Sequence, residues 1–253
     1  MNELRLAFGL LTAVPVGRLP EVSRRSAGRA ILLAPLTTVP LLVVLVAAHL
    51  VVRHAGVPAL VVAALVLFCE ALVTRAMHLD GLADTADGLS AGYDAESSLR
   101  AMKASDIGPS GVAAVVLVLL LQAACLSVLL AAPSGAVAAG VAWVGSRQVL
   151  SWACRREVPA ARRTGLGAMV AGTVPVVAAV AGSLGLAVAG WGAVWAGGGR
   201  GWVGPVVVAV PVLCSLALVR RANRRLGGIN GDVLGAVVEV ALTAGMVMAV
   251  LLR

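Results

Sequence analysis

The chain is short of what a water-soluble domain needs. Only 13% of its 253 residues are charged and 3% aromatic, with one tyrosine and two phenylalanines. Soluble domains are about one quarter charged, so water is excluded as the main solvent. A mean hydropathy of +0.99 agrees. With so few aromatic rings there is no stacking platform, and no long basic arm is present, so the net charge of +8 does not indicate nucleic acid. Cys69, Cys125, Cys154 and Cys214 form no CxxC pair, which leaves them as small buried hydrophobes rather than disulfides or metal ligands. Apolar and polar residues do not alternate, which excludes a membrane β-barrel.

What the chain does have is long apolar runs. Seven spans are predicted, roughly Ala30 to Val52, Ala59 to Met77, Gly111 to Ala132, Ala136 to Cys154, Ala168 to Trp191, Trp202 to Val219 and Val233 to Leu252. Each approaches the length needed to cross about 30 Å of hydrocarbon at about 1.5 Å per residue. Ala, Val, Leu and Gly dominate them, so helices can approach closely through small side chains. The expected fold is an all-α polytopic membrane bundle of about seven transmembrane helices, forming one catalytic domain over residues 1–253. A short N-terminal interfacial or re-entrant helix precedes it: the run Leu6 to Val16 is too short to span, and Glu3 before it argues against a cleaved signal.

Basic residues alternate between connections. Arg18, Arg24, Arg25 and Arg29 precede the first span; Arg75, Arg100 and Lys103 surround the second-to-third connection. Arg155, Arg156, Arg162 and Arg163 follow the fourth span, and Arg220, Arg221, Arg224 and Arg225 follow the sixth. Lys and Arg near span ends stay in the cytoplasm, so the N-terminus is expected inside, the C-terminus outside, and the chemistry on the cytoplasmic face of the cell membrane.

The acids are concentrated. In His78-Leu-Asp-Gly-Leu-Ala-Asp-Thr-Ala-Asp-Gly-Leu89, Asp80, Asp84 and Asp87 stand at i, i+4 and i+7, which puts three carboxylates on one face of a helix. Such like charges repel unless a hard cation sits between them, and Mg²⁺ prefers carboxylate, water and phosphate oxygens. The small residues Gly81, Ala83, Ala86 and Gly88 leave room for a phosphorylated ligand or for a neighbouring helix. His78 either serves the site or simply ends the span. The bland alternative for the whole segment is a solvated acidic loop.

Two further segments are expected on the same side. In Lys103-Ala-Ser-Asp-Ile-Gly-Pro-Ser-Gly111, Asp106 either binds metal or caps the third span. In Gly227 to Glu239, Asn230 and Asp232 open the last span and Glu239 lies about two turns inside it, where a carboxylate needs a cavity or a partner. Arg147, deep in the fourth span, is the expected partner of Glu239 or holder of a phosphate.

The HLDGLADTADGL segment resembles the signature of cobalamin synthases, also called adenosylcobinamide-GDP ribazoletransferases. The likeness extends to LTAVPVGR at Leu11 to Arg18, MKASDIGPSG at Met102 to Gly111 and GGINGDVLGAVVE at Gly227 to Glu239, with Asn230 standing where typical members carry small polar residues. It implies a Mg²⁺-dependent transfer joining adenosylcobinamide-GDP to α-ribazole, or its 5′-phosphate, with release of GMP. It also implies that Asp80, Asp84 and Asp87 hold the metal and that one of them or Asp106 accepts a proton. His78, Gly81, Lys103, Arg147, Asn230, Asp232 and Glu239 are then expected around the substrates, with membrane lipid as surroundings and a second copy or other corrinoid-pathway enzymes as conceivable associates. CDP-alcohol phosphotransferases share an aspartate motif with a DG pair, but the AR pair and later aspartate spacing of that motif are absent. Prenyl transfer would favour DDxxD-type motifs, a transporter would place its acids near mid-bilayer, and a purely structural subunit would not need the aspartates.

Overall fold

A computed structural model describes residues 2–18, 21–91, 94–103 and 106–253. The elements are helical: α1 (Asn2–Leu11), α2 (Arg24–Leu32), α3 (Val39–His54, entered through a 3₁₀ turn at Ala34–Thr38), α4 (Ala59–Thr74), α5 (Met77–Ser90), α6 (Ala95–Ala101), α7 (Pro109–Leu129), α8 (Pro133–Ala153), α9 (Leu166–Val170), α10 (Val176–Ala196), α11 (Val203–Leu226) and α12 (Gly231–Leu252). Among the described residues only isolated bridges, Arg155 with Val174 and Ala160 with Ile229, have strand-type pairing.

Among the described residues, five segments are long and apolar enough to cross a membrane: Ala34–His54, Pro109–Leu129, Val176–Ala196, Val203–Leu226 and Gly231–Leu252. Lipid-facing stretches carry the exposed side chains, such as Val43, Leu65, Leu117, Leu184 and Leu213. The chain is therefore a multi-pass membrane protein. The fifth of the spans expected from sequence begins later than its apolar run, because Ala168 belongs to the short α9.

Two expected spans differ from the sequence reading, each for a physical reason. α4 has 16 residues, about 24 Å of helix. It passes as a span only together with α5, from which it is bent by 89°. The break lies at Arg75 and Ala76, both left-handed at φ 56° and 52°; neither is a glycine, so the sequence carried no signal of it. α5 therefore does not continue the second span but leaves it as a separate arm. α8 has the length to cross but not the apolarity, since it carries Ser146, Arg147, Gln148 and Ser151. Fifteen of its 21 residues are buried, against three of 21 in α10. Neighbouring helices, not lipid, solvate it.

α8 and α12 form the axis of the bundle. One hydrophobic cluster, including Val149, Leu150, Leu226, Val233 and Val237, lies at the end where α12 starts; another, including Leu41, Leu126, Trp143, Leu242 and Met246, surrounds the far half. Pro211, inside α11, leaves no bond for its own nitrogen to make, and the Ser215 hydroxyl donates to the Pro211 carbonyl at 2.7 Å.

Candidate active site

α5 is brought against the first turns of α12 by glycine. A methyl group at Gly81 would lie 2.6 Å from the Asp232 carbonyl oxygen, and one at Gly235 would lie 3.1 Å from the His78 Cα. Of the two uses of small residues allowed by the sequence, Gly81 thus serves helix approach: it is buried against backbone, not presented to a ligand. Gly88 does the same against Met102 and the Ser98 carbonyl.

This contact sets Asp80 and Asp84 of α5 beside Asp232 of α12. Asp84 is half-buried, and its pKa is pushed up to about 6 by desolvation, then by the charges of Asp232, Asp80 and Asp87. Asp80 is exposed, and both it and Arg162 act electrostatically on Asp232. Asp232 is oriented locally. Asn230, the N-cap of α12, accepts from the Val233 N–H at 2.9 Å through its Oδ1 and donates through Nδ2 to Asp232 Oδ2 at 2.7 Å. Asn230 is buried, so its work is to cap the helix and to aim the carboxylate next to it.

Asp80 and Asp232 line a cavity of about 200 Å³ together with His78 and a wall of aliphatic side chains from α1, α2, α8, α9 and α12. His78 is 3% exposed, and its Nδ1 lies 3.5 Å from an Arg147 guanidinium nitrogen. Burial, then the Arg147 charge, hold the imidazole neutral by lowering its pKa.

Asp87 departs from the expected triad. Its Oδ2 accepts from the Gly108 N–H at 2.7 Å and its Oδ1 from the Gly111 N–H at 2.8 Å. Gly108 is the N-cap of α7 and has no side chain to cap with, so Asp87 supplies both acceptor and negative charge to the start of that helix. A methyl at Gly108 or Gly111 would stand 2.4 Å from the Asp87 carboxylate, which explains the glycines. Asp106, considered as the cap of this helix, does not fill that place. It is exposed and shares a second, shallower depression with Asp87, Ser90 and Ser110. Lys103 is exposed beyond α6, away from the cavity lining; Ala104 and Ser105 of the same segment lie outside the described residues.

Arg147 does not pair with Glu239. Its guanidinium binds Glu70 of α4 at 3.0 Å and donates to the Ser146 hydroxyl at 2.7 Å, with both members of the ion pair buried. Glu239 instead accepts from Gln122 of α7 at 2.9 Å, and Gln122 also reaches Thr243 at 3.1 Å. Neither Arg147 nor Glu239 borders the cavity. Glu70 escaped the sequence reading, although it is the one acid in an otherwise apolar run and the argument applied to Glu239 applies to it equally. Arg162 belongs to the arginines read mostly as topology markers, some of which could engage an anionic substrate. Its loop is fastened to the start of α12 by Ala161 N–H to the Ile229 carbonyl at 2.8 Å and Ile229 N–H to the Pro159 carbonyl at 2.9 Å, while its own guanidinium donates to the Leu99 carbonyl at 2.7 Å.

Among the described residues no three His, Cys, Asp or Glu side chains close into a metal cage. The arrangement is an open, carboxylate-bearing mouth on an apolar cavity, at one end of a bundle of membrane helices, and it defines a polytopic membrane protein with an acidic site. Comparison with known proteins specifies the class further. The family model described as cobalamin-5-phosphate synthase matches residues 3–250, and the chain belongs to that family. An adenosylcobinamide-GDP ribazoletransferase from a Nocardioides species is 44% identical over 95% of this chain and 94% of its own length. Proteins of the same name from Frankia casuarinae and Pseudomonas aeruginosa are 38% and 34% identical, each over 98% of this chain and over 94% and 97% of their own lengths. No solved structure matches the chain.

Proposed function

We propose that the protein joins adenosylcobinamide-GDP to α-ribazole, or to α-ribazole 5′-phosphate, giving adenosylcobalamin or its 5′-phosphate and GMP. A ribose hydroxyl of the acceptor attacks the phosphorus nearer the cobinamide, the bond from that phosphorus to the GMP oxygen breaks, and the hydroxyl proton passes to a carboxylate. The observation carrying this reading is the meeting of Asp80 and Asp84 on α5 with Asp232 on α12, where Asp80 and Asp232 line the cavity.

The donor set suits Mg²⁺. Phosphoryl-transfer sites hold that ion with one or two carboxylates and leave the remaining positions to water and substrate phosphate, so a closed protein cage is not required. Asp84 and Asp232 would hold it, and when bound it would neutralise charge developing on the diphosphate. Asp87, with both oxygens engaged by backbone N–H groups, has the structural role of joining α5 to α7. Asp80, exposed and bordering the cavity, is placed to take the hydroxyl proton. Arg162, beside Asp232, supplies a positive charge for the diphosphate. The placement of Lys and Arg in alternate connections supports a cytoplasmic N-terminus and a cytoplasmic active site in the cell membrane.

The test is direct. Purified protein in lipid, given adenosylcobinamide-GDP and α-ribazole, is expected to release GMP and a joined corrinoid with Mg²⁺ and to stop when EDTA is added. No GMP from the complete mixture removes the activity; undiminished turnover in EDTA removes the metal assignment alone.

A further inference from the structure

The cavity behind the acids has a chemistry of its own. Leu10, Ile31, Leu150, Leu166 and Leu234 supply hydrocarbon walls, and Asp80 and Asp232 share the same space. At about 200 Å³ it is smaller than the ~300–1,000 Å³ of pockets that enclose a whole drug-sized ligand. It has room for one ring system, not for a corrin macrocycle or an entire nucleoside diphosphate.

His78 is the polar group set into this wall, and its tautomer follows from its neighbour. A guanidinium has donors only, so the Nδ1 facing Arg147 at 3.5 Å keeps its lone pair and the ring proton resides on Nε2. That Nε2–H is buried with no hydrogen-bond partner. A buried donor left unpaired is costly, and a bound ligand carrying an acceptor would satisfy it.

We propose that this cavity receives the base of the acceptor nucleoside, and that His78 is a specificity-determining residue whose Nε2–H donates to the free ring nitrogen of that base. The inference rests on the transferase reading given above. The base of ribazole is a dimethylated benzimidazole: hydrocarbon nearly all round, with one unsubstituted ring nitrogen as acceptor. Hydrocarbon walls and one lone donor match it. Guanine does not fit the same surroundings, because its several donors and acceptors would be left unpaired against leucine. With the base seated there, the attached ribose lies toward Asp80 and Asp232, where its hydroxyl has to react.

The experiment compares two acceptors with the lipid-embedded protein, α-ribazole and its 3-deaza analogue, in which the ring nitrogen is replaced by C–H. Wild type is expected to show a KM about 10-fold higher for the analogue, the loss of one hydrogen bond to a buried donor. His78→Phe should raise the KM for α-ribazole to that of the analogue and leave the KM for adenosylcobinamide-GDP unchanged, while His78→Gln, which retains an N–H donor, recovers part of the preference. Equal KM values for the two acceptors in wild type overturn the proposal, as does an undiminished preference in His78→Phe. Should the phenylalanine variant fail to fold, the wild-type comparison decides alone. If wild type releases no GMP even from α-ribazole, the transferase reading falls and this inference with it, an outcome distinct from turnover without discrimination.

Discussion

Two sets of polar and charged side chains within this bundle are built on opposite rules. At the junction of α5 and α12, Asp80, Asp84 and Asp232 stand near one another, desolvation and the neighbouring charges raise the pKa of Asp84, and Asp80 and Asp232 border open space. Within the bundle, Glu70, Arg147, Gln122 and Glu239 are buried, and each has a hydrogen-bonding partner: Arg147 for Glu70, Gln122 for Glu239. The first set is frustrated and partly accessible, as the proposed binding of a cation and a phosphate requires. The second is satisfied and closed, as polar groups surrounded by apolar helices must be. Residue type alone does not separate them; partners do.

The sharpest way to break this distinction is to treat a member of the closed set as if it were surface. Arg147→Met leaves Glu70 charged and unpaired, and removal of one partner from a buried pair costs about 3–5 kcal/mol. The variant is expected to be lost at expression or to melt far below wild type, whereas Glu70→Leu with Arg147→Met should recover much of that stability in a thermal melt. The open set predicts the reverse. Asp80→Asn and Asp84→Asn should each lower kcat by about 10²–10³-fold, the loss typical when one group stabilising transition-state charge is removed, while the protein remains folded in detergent. Wild-type rates in both variants would sink the site.

Asp87 lies between the two sets, and its substitution sharpens the comparison. Asp87→Ala strips two backbone N–H groups at the start of α7 of their acceptor, and hydrogen bonds to a charged group are each worth about 1.5–3 kcal/mol. A clear drop in melting temperature is expected; loss of turnover with unchanged stability would return Asp87 to the metal-binding group. A smaller effect concerns pH. The pKa of Asp84 is raised in the folded protein from 3.8 to about 6, so between these values the native state binds more protons than the unfolded chain, and metal-free stability falls as pH rises through that window. Stabilisation by Mg²⁺ should accordingly be greater at pH 7.5 than at pH 5, and Asp84→Asn should flatten the difference. The smallest effect belongs to the turn after α4: Ala76→Gly relieves a left-handed non-glycine residue and should change stability by less than about 1 kcal/mol, since glycine also gains unfolded-state entropy.

Much of this was legible in the amino-acid sequence. Apolar runs located the five helices able to span, and the i, i+4 spacing placed Asp80 and Asp84 together, because both signals are local. The right-angle break at Arg75 and Ala76 was not legible, since it needs neither Gly nor Pro there. That α8 would be surrounded by protein followed only from packing, although Arg147 and Gln148 hinted at it. Pairings were the weakest part. Glu239 and Arg147 were the natural match by isolation within spans, yet Gln122 and Glu70 stand closer once the helices are assembled. The partners of Asp87 are backbone amides, which have no signature in a side-chain alphabet.

The hold of Asp87 on α7 also bears on how the protein comes into being. A helix that crosses the bilayer but has no cap of its own is incomplete until the acid-bearing arm docks beside it. A chain in which that docking fails is therefore defective in biogenesis before it is defective in catalysis, and damage at this joint will register in the cell first as missing protein.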